Sequence, residues 1–147
     1  MREIKFRAWD TEQKEYFSPE YNADLGRLKD LSIGLDGRLL RRTLEVSAED
    51  ESCFEGQYIL QQYTGLKDKN GKEVYEGDIL KTEHRRNCGM SEDTFFVNEV
   101  VSWSDEILCM SLDGACLSVL VSNYIYKSFE VIGNSYENPD LLDDSQP

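Results

Sequence analysis

The segment that most limits the fold runs from Tyr58 to Leu80, because two turn signals, Asn70-Gly71 and Gly77-Asp78, interrupt it. Glycine reaches positive φ without a Cβ penalty, and Asn tolerates it better than most residues, so Asn-Gly marks a hairpin tip. Tyr58–Tyr63 reads as a strand, Lys67–Lys72 as the polar tip, and Glu73-Val74-Tyr75 as the return. Gly77-Asp78 then makes a second tight turn before Ile79-Leu80-Lys81, with the Asp able to accept nearby backbone N–H groups. A stretch broken this often cannot form a helix. It reads as scaffold, not as a catalytic loop.

The same pattern recurs elsewhere. In residues 2–9, Ile4, Phe6 and Ala8 alternate with Lys5, Arg7 and Trp9; with Tyr16 and Phe17 returning, residues 4–17 make a first hairpin. Leu25, Leu28 and Leu31 are spaced three apart, which predicts a short helix over Asp24–Leu31, weakened by Gly26. Leu31, Ile33 and Leu35, the Asp36-Gly37 turn and Arg38–Val46 predict a second hairpin. Ser47–Ser52 reads as an acidic, variable loop. His84–Asp93 is polar without periodicity and reads as an exposed loop. Phe95–Trp103 and Ile107–Leu112 read as strands, Asp113-Gly114 as a turn, and Phe129–Ile132 as the last strand. Ala115–Tyr126 fits strand or helix equally. Asn138-Pro139 reads as an N-cap and first-turn proline, with at most one helical turn through Leu142.

The fold class that follows is mainly β: small twisted sheets or barrel-like units built from hairpins, with one or two short helices. The expected organisation is an N-terminal hairpin subdomain at 1–64, with its acidic loop at 47–57, and a C-terminal barrel-like subdomain at 65–147. A single compact unit is the alternative. At 147 residues the chain buries about 70% of its unfolded surface without a metal.

Charge narrows the partners. Sixteen Lys plus Arg against 29 Asp plus Glu give a net charge of −13, which repels nucleic acid and anionic lipid. No export signal or membrane-spanning run is visible, so a cytoplasm and reduced Cys53, Cys88, Cys109 and Cys116 are expected.

Three blocks carry a family resemblance: Ile4–Asp10, Gln62–Ile79 and Val131–Pro139. They fall in order along nearly the whole chain, and the middle block is long and idiosyncratic. The sequence resembles the YopX family of phage and prophage proteins; residues 18–57 and 82–128 contribute little to the likeness. The resemblance implies a phage or prophage origin and a predominantly β fold. It supplies no activity and no catalytic residues.

Read for chemistry, the chain offers near-misses. Gly65–Glu73 differs from a phosphate-binding loop in having five residues between its glycines instead of four, and Glu73 stands where a magnesium-binding hydroxyl belongs. His84, Cys88, Cys109 and Cys116 match no paired metal-ligand spacing. Asp10, Asp78 and His84 are the residues a hydrolase would use, yet both aspartates flank turns, where carboxylates accept backbone hydrogen bonds. The basic clusters Arg38/Arg41/Arg42 and His84/Arg85/Arg86 are expected to pair with neighbouring acids. Trp9, Tyr16, Tyr63, Tyr75 and Trp103 serve either a small β core or a recognition surface; Trp9, Tyr63, Tyr75 and Trp103 are the candidate interaction residues.

The expectation is a non-enzymatic accessory protein without cofactor, binding a host or phage protein or its own copies through exposed strand edges. An acidic mimic of nucleic acid that occupies a host DNA-binding protein is the alternative, and a hydrolase using Asp10, Asp78 or His84 is the third. Asn70, Gly71, Gly77 and Asp78 are assigned as structural turn residues.

Overall fold

Antiparallel hairpins make up nearly all the regular structure in the computed structural model, which describes residues 3–45, 49–88, 91–104, 109–112, 115–116 and 129–143. The protein is mainly β, with one 3-10 turn and one short helix among the described residues. The chain forms two units: Arg7–Leu60, and Met1–Phe6 together with Gln61–Pro147. The boundaries fall inside β1 (Phe6–Asp10) and β7 (Tyr58–Lys67).

In the Arg7–Leu60 unit, β1 pairs with β2 (Glu15–Tyr16), Trp9 opposite Tyr16, as the alternation predicts. The turn closes on Asp10, whose Oδ1 accepts the N–H groups of Glu12 and Gln13, both at 2.9 Å. A four-stranded sheet follows in chain order: β3 (Glu20–Asn22), β4 (Arg27–Ile33), β5 (Leu39–Arg42) and β6 (Glu49–Asp50). Its β4–β5 hairpin matches the one expected around Asp36-Gly37. Ala8, Trp9, Leu39 and Phe54 form the buried apolar centre. Edge-to-face contacts of Tyr58 with Phe17 and with Phe54, each at 5.7 Å between ring centres, extend it.

Two expectations are overturned here. Asp24–Leu31 is not helical: a turn ends at Gly26 and β4 begins at Arg27. Leu25 lies in the turn, 58% exposed, while Leu28 and Leu31 are half-buried and an odd number of residues apart, hence on opposite faces of the strand. The three-residue spacing therefore arises from a sheet partly covered on both sides. The acidic stretch is likewise not a free loop beyond residue 48. Glu49 pairs with Arg41 across β6–β5, Glu51–Cys53 form the 3-10 turn, and Phe54 anchors it. The Arg41 guanidinium, 2.8 Å from the Glu49 carboxylate, offsets the like-charge repulsion. Residues 46–48 lie outside the described residues.

In the other unit, β7 continues into β8 (Glu73–Tyr75), with Tyr63 opposite Tyr75 and a register shift before the Lys67–Glu73 pair. β9 (Asp78–Cys88) is the centre of a three-stranded sheet, flanked by β10 (Ser91–Val100) and β14 (Phe129–Asn134). A second three-stranded sheet joins β11 (Ser102–Ser104), β12 (Cys109–Leu112) and β13 (Ala115–Cys116). Tyr63, Val74, Ile79, Leu80, Val101, Phe129 and Val131 are buried. The last strand falls where the sequence predicts, and α1 (Asp140–Asp143) supplies the single helical turn.

Here too the pattern misleads in places. His84–Asp93 is not a loop: its described residues continue β9 and β10, in a register running from Val100 opposite Ile79 to Ser91 opposite Cys88. Asn138 does not cap α1 with its side chain. Its Oδ1 accepts the Asn134 N–H at 3.3 Å, and its carbonyl accepts the Leu141 N–H at 3.1 Å. At the Asn70-Gly71 tip only Gly71 has positive φ, +82°. Residues 105–108, with Asp105 and Glu106 of the expected Ser104-Asp105-Glu106 connection, the Asp113-Gly114 turn and residues 117–128 lie outside the described residues.

Candidate functional site

The second and third sequence blocks, with residues 4–6 of the first, lie in the unit made of Met1–Phe6 and Gln61–Pro147, and buried hydrogen bonding joins the second block to the third. Asp68, 7% exposed, accepts the N–H groups of Asn70 (2.8 Å) and Lys72 (2.9 Å) on Oδ1 and that of Val131 (3.1 Å) on Oδ2. Burial alone would push this carboxyl up, but the N–H groups of Val131, Lys72 and Asn70 outweigh it and hold the group below the usual carboxylate range. Lys69 N–H reaches the Phe129 carbonyl, so the hairpin tip lies along the last strand. Outside it, Lys69 pairs with Glu130 at 2.6 Å, and this hydrogen-bonded cation lowers the Glu130 carboxyl.

The second junction surrounds Gly77. Asp78 Oδ2 accepts the Tyr75 N–H at 2.8 Å, and the Asn134 side-chain amide lies 3.4 Å from both Asp78 Oδ1 and Gln61 Oε1. Gln61, Asp78 and Asn134 are at most 2% exposed. Ser135 N–H donates to the Gly77 carbonyl and Gly77 N–H to that of Val101. Such a fully buried polar junction fixes one arrangement of strands. The first block enters through Lys5: its carbonyl accepts the Tyr63 N–H, and its ammonium lies 2.7 Å from Glu73 and over the Tyr63 ring. Hydrogen bonding from Lys5 and then from Tyr75 lowers the Glu73 carboxyl. Sequence reasoning assigned Asp78 to backbone bonding but missed Asp68, Gln61 and Asn134. Asp68 had a legible signal, standing two residues before Asn70 in a tight turn, where an Asp side chain accepts the second N–H onward.

Of the three residues a hydrolase would use, Asp10 and Asp78 hold turns. Asp10 holds the β1–β2 turn and also accepts from the Gln57 side chain at 3.1 Å; Asp78 holds the bend into β9. His84 lies on β9 opposite Phe95, and its side chain is outside the described structure, as are those of Arg85, Arg86, Cys88, Cys109 and Cys116. No group of three metal-ligating side chains occurs among the described residues. Among the described residues, no helix is long and apolar enough to cross a membrane.

In the Arg7–Leu60 unit Arg38, Arg41 and Arg42 pair with acids. Arg42 meets Asp30 at 2.5 Å and Arg38 meets Asp36 at 3.5 Å. Arg41 binds Glu49 and the Gln57 side chain while its guanidinium lies 4.6 Å from the centre of the Phe54 ring. An open depression is lined by Arg38, Glu51, Ser52 and Glu55.

Of the four candidate interaction residues, Trp9 and Tyr63 are buried, Tyr75 is half-buried and Trp103 is 44% exposed. The structure adds two aromatics that sequence reasoning left in an ordinary strand. Phe95 and Phe96 on β10 are 39% and 58% exposed, with the Lys81 ammonium 5.0 Å from the centre of the Phe96 ring.

Comparison with known proteins agrees with this architecture. The family model described as YopX protein matches residues 5–143. The crystal structure of protein EF1440 from Enterococcus faecalis is similar, at 30% identity and a TM-score of 0.56, over 97% of this chain and 99% of that one. Among curated proteins there is no significant match.

Proposed function

The chain belongs to the YopX family, and on that premise we propose a non-enzymatic module that works by associating with protein surfaces, first of all those of its own copies. The observation that carries this reading is the exposure of Phe95, Phe96 and Trp103 on strands of one unit. Large aromatics left in water at these fractions are what an interface covers on assembly. The chemistry of the carboxylates supports it from the other side. Asp10 and Asp78 spend their lone pairs on turn N–H groups, and an acceptor so engaged is poorly placed to take a proton from substrate or water.

A phage or prophage accessory role in a bacterial cytoplasm, with a host or phage protein as further partner, belongs to the same proposal. The test is molar mass in solution across a concentration series, for the intact chain and for one carrying Phe95→Ser, Phe96→Ser and Trp103→Ser. Concentration-dependent association lost on substitution supports the reading; a monomer throughout overturns it.

The net charge of −13 favours a second reading, mimicry of a nucleic-acid backbone. It predicts salt-released capture of a host DNA-binding protein, unaffected by the aromatic substitutions. Capture that persists in high salt contradicts it.

A further inference from the structure

The tip of the β7–β8 hairpin contains the sequence's one Asn-Gly pair; Asn22, Asn87, Asn98, Asn123, Asn134 and Asn138 precede Ala, Cys, Glu, Tyr, Ser and Pro. Both Asn70 and Gly71 are exposed to water. We infer that Asn70 is the chain's principal site of spontaneous deamidation, and that the fold of the hairpin tip sets its rate.

The chemistry needs only water. The Gly71 backbone nitrogen attacks Cγ of Asn70, an N–Cγ bond forms, and the Cγ–Nδ2 bond breaks. Ammonia leaves with the proton from the Gly71 nitrogen, closing a succinimide. Water then opens the ring at Cγ to give aspartate, or at the former backbone carbonyl to give isoaspartate. Gly71 is the favourable neighbour because no Cβ shields its nitrogen.

In the folded tip both reacting groups are engaged elsewhere. Gly71 N–H donates to the Asp68 carbonyl at 2.9 Å, and the Asn70 side-chain amide donates to Glu130 Oε1 at 3.3 Å. Asn70 N–H is itself fixed on Asp68 Oδ1. Attack requires these bonds to open, so the native rate is the rate of the open tip scaled by its population. The product also matters to the fold. A carboxylate at position 70 faces Glu130 and lies beside Asp68, where like charges repel. Isoaspartate lengthens the backbone by one CH₂ between Asp68 and Lys72, whose bond to Asp68 depends on the present spacing. Deamidation at this one place therefore loosens the contact between the hairpin tip and the last strand.

The experiment incubates the intact protein in mildly alkaline buffer, folded and in concentrated urea, and follows every Asn by mass-resolved peptide mapping with isoaspartate detection. The inference expects conversion first within residues 56–73, at least about tenfold slower in the folded protein, and a lowered melting temperature in the aged sample. Equal rates in the folded and unfolded chain, or earlier conversion at another Asn, overturn it.

Discussion

The Asp68 carboxylate accepts the backbone N–H of Val131, 63 residues further along the chain, at 3.1 Å. The same carboxylate holds the N–H groups of Asn70 and Lys72, so one buried side chain both shapes the hairpin tip and fastens the last strand to it. Two of the three family sequence blocks thus meet at a single residue, and the role of that residue is architectural.

Asp68→Ala leaves three backbone donors without their acceptor, and urea unfolding is expected to show a loss of about 3 kcal/mol. Asp68→Asn keeps the shape and one acceptor oxygen, so its loss is smaller. Equal stability for Asp68→Ala and the unaltered chain contradicts this role.

Acid sensitivity follows from the same group. Its folded pKa lies below the unfolded value, so its contribution is complete above the unfolded pKa and disappears as pH falls through the folded one. Asp30, lowered by its Arg42 hydrogen bond, acts in the same direction. Stability should therefore fall as pH is taken below about 4, and Asp68→Asn should flatten that slope. Urea midpoints across the acid range provide the check; an unchanged slope in the variant counts against Asp68 as a contributor.

Gly77 and Gly71 separate backbone strain from crowding. Both have positive φ, +81° and +82°, but a Cβ at Gly77 meets the Gln61 side-chain nitrogen at 2.5 Å, whereas nothing lies within 4 Å of one at Gly71. Gly71→Ala is expected to cost about 1 kcal/mol, and Gly77→Ala about 2–4 kcal/mol. Equal losses in chemical denaturation show that the Gln61 junction yields to the added methyl.

Arg41 is the corresponding anchor in the Arg7–Leu60 unit, since it binds Glu49 and Gln57 while lying on Phe54. A lysine keeps the charge but loses the planar fork and the stacking, so Arg41→Lys should lower stability by about 1–2 kcal/mol. Thermal unfolding of the two chains measures it.

Strands were legible where burial alternates, as at Gln61 and Tyr63 in β7 and Val74 in β8, and where a turn signal marks the hairpin, as Asp36-Gly37 does between β4 and β5. The β9–β10 ribbon was not. From His84 to Asp93 polar residues occur at both odd and even positions, so no period of two marks the strands, and only pairing between them reveals the structure. The leucines at 25, 28 and 31 failed for the opposite reason, with apolar residues on both faces imitating a helical spacing. The candidate site was half legible. Turn chemistry at Gly77-Asp78 reads directly from residue types, whereas the pairing of Asp68 with Val131 and of Asn134 with Gln61 depends on contacts that local sequence does not encode. The exposure of Phe95 and Phe96 was likewise hidden, since a strand pattern says which residues alternate but not where a ribbon leaves the core.

Association through those exposed aromatics is tested most directly by light scattering on a concentration series. The account predicts a molar mass that rises above the 17.0 kDa of one chain at micromolar concentration, and returns to 17.0 kDa when Phe95, Phe96 and Trp103 are replaced by serine. A mass of 17.0 kDa for the unaltered chain at every concentration contradicts it.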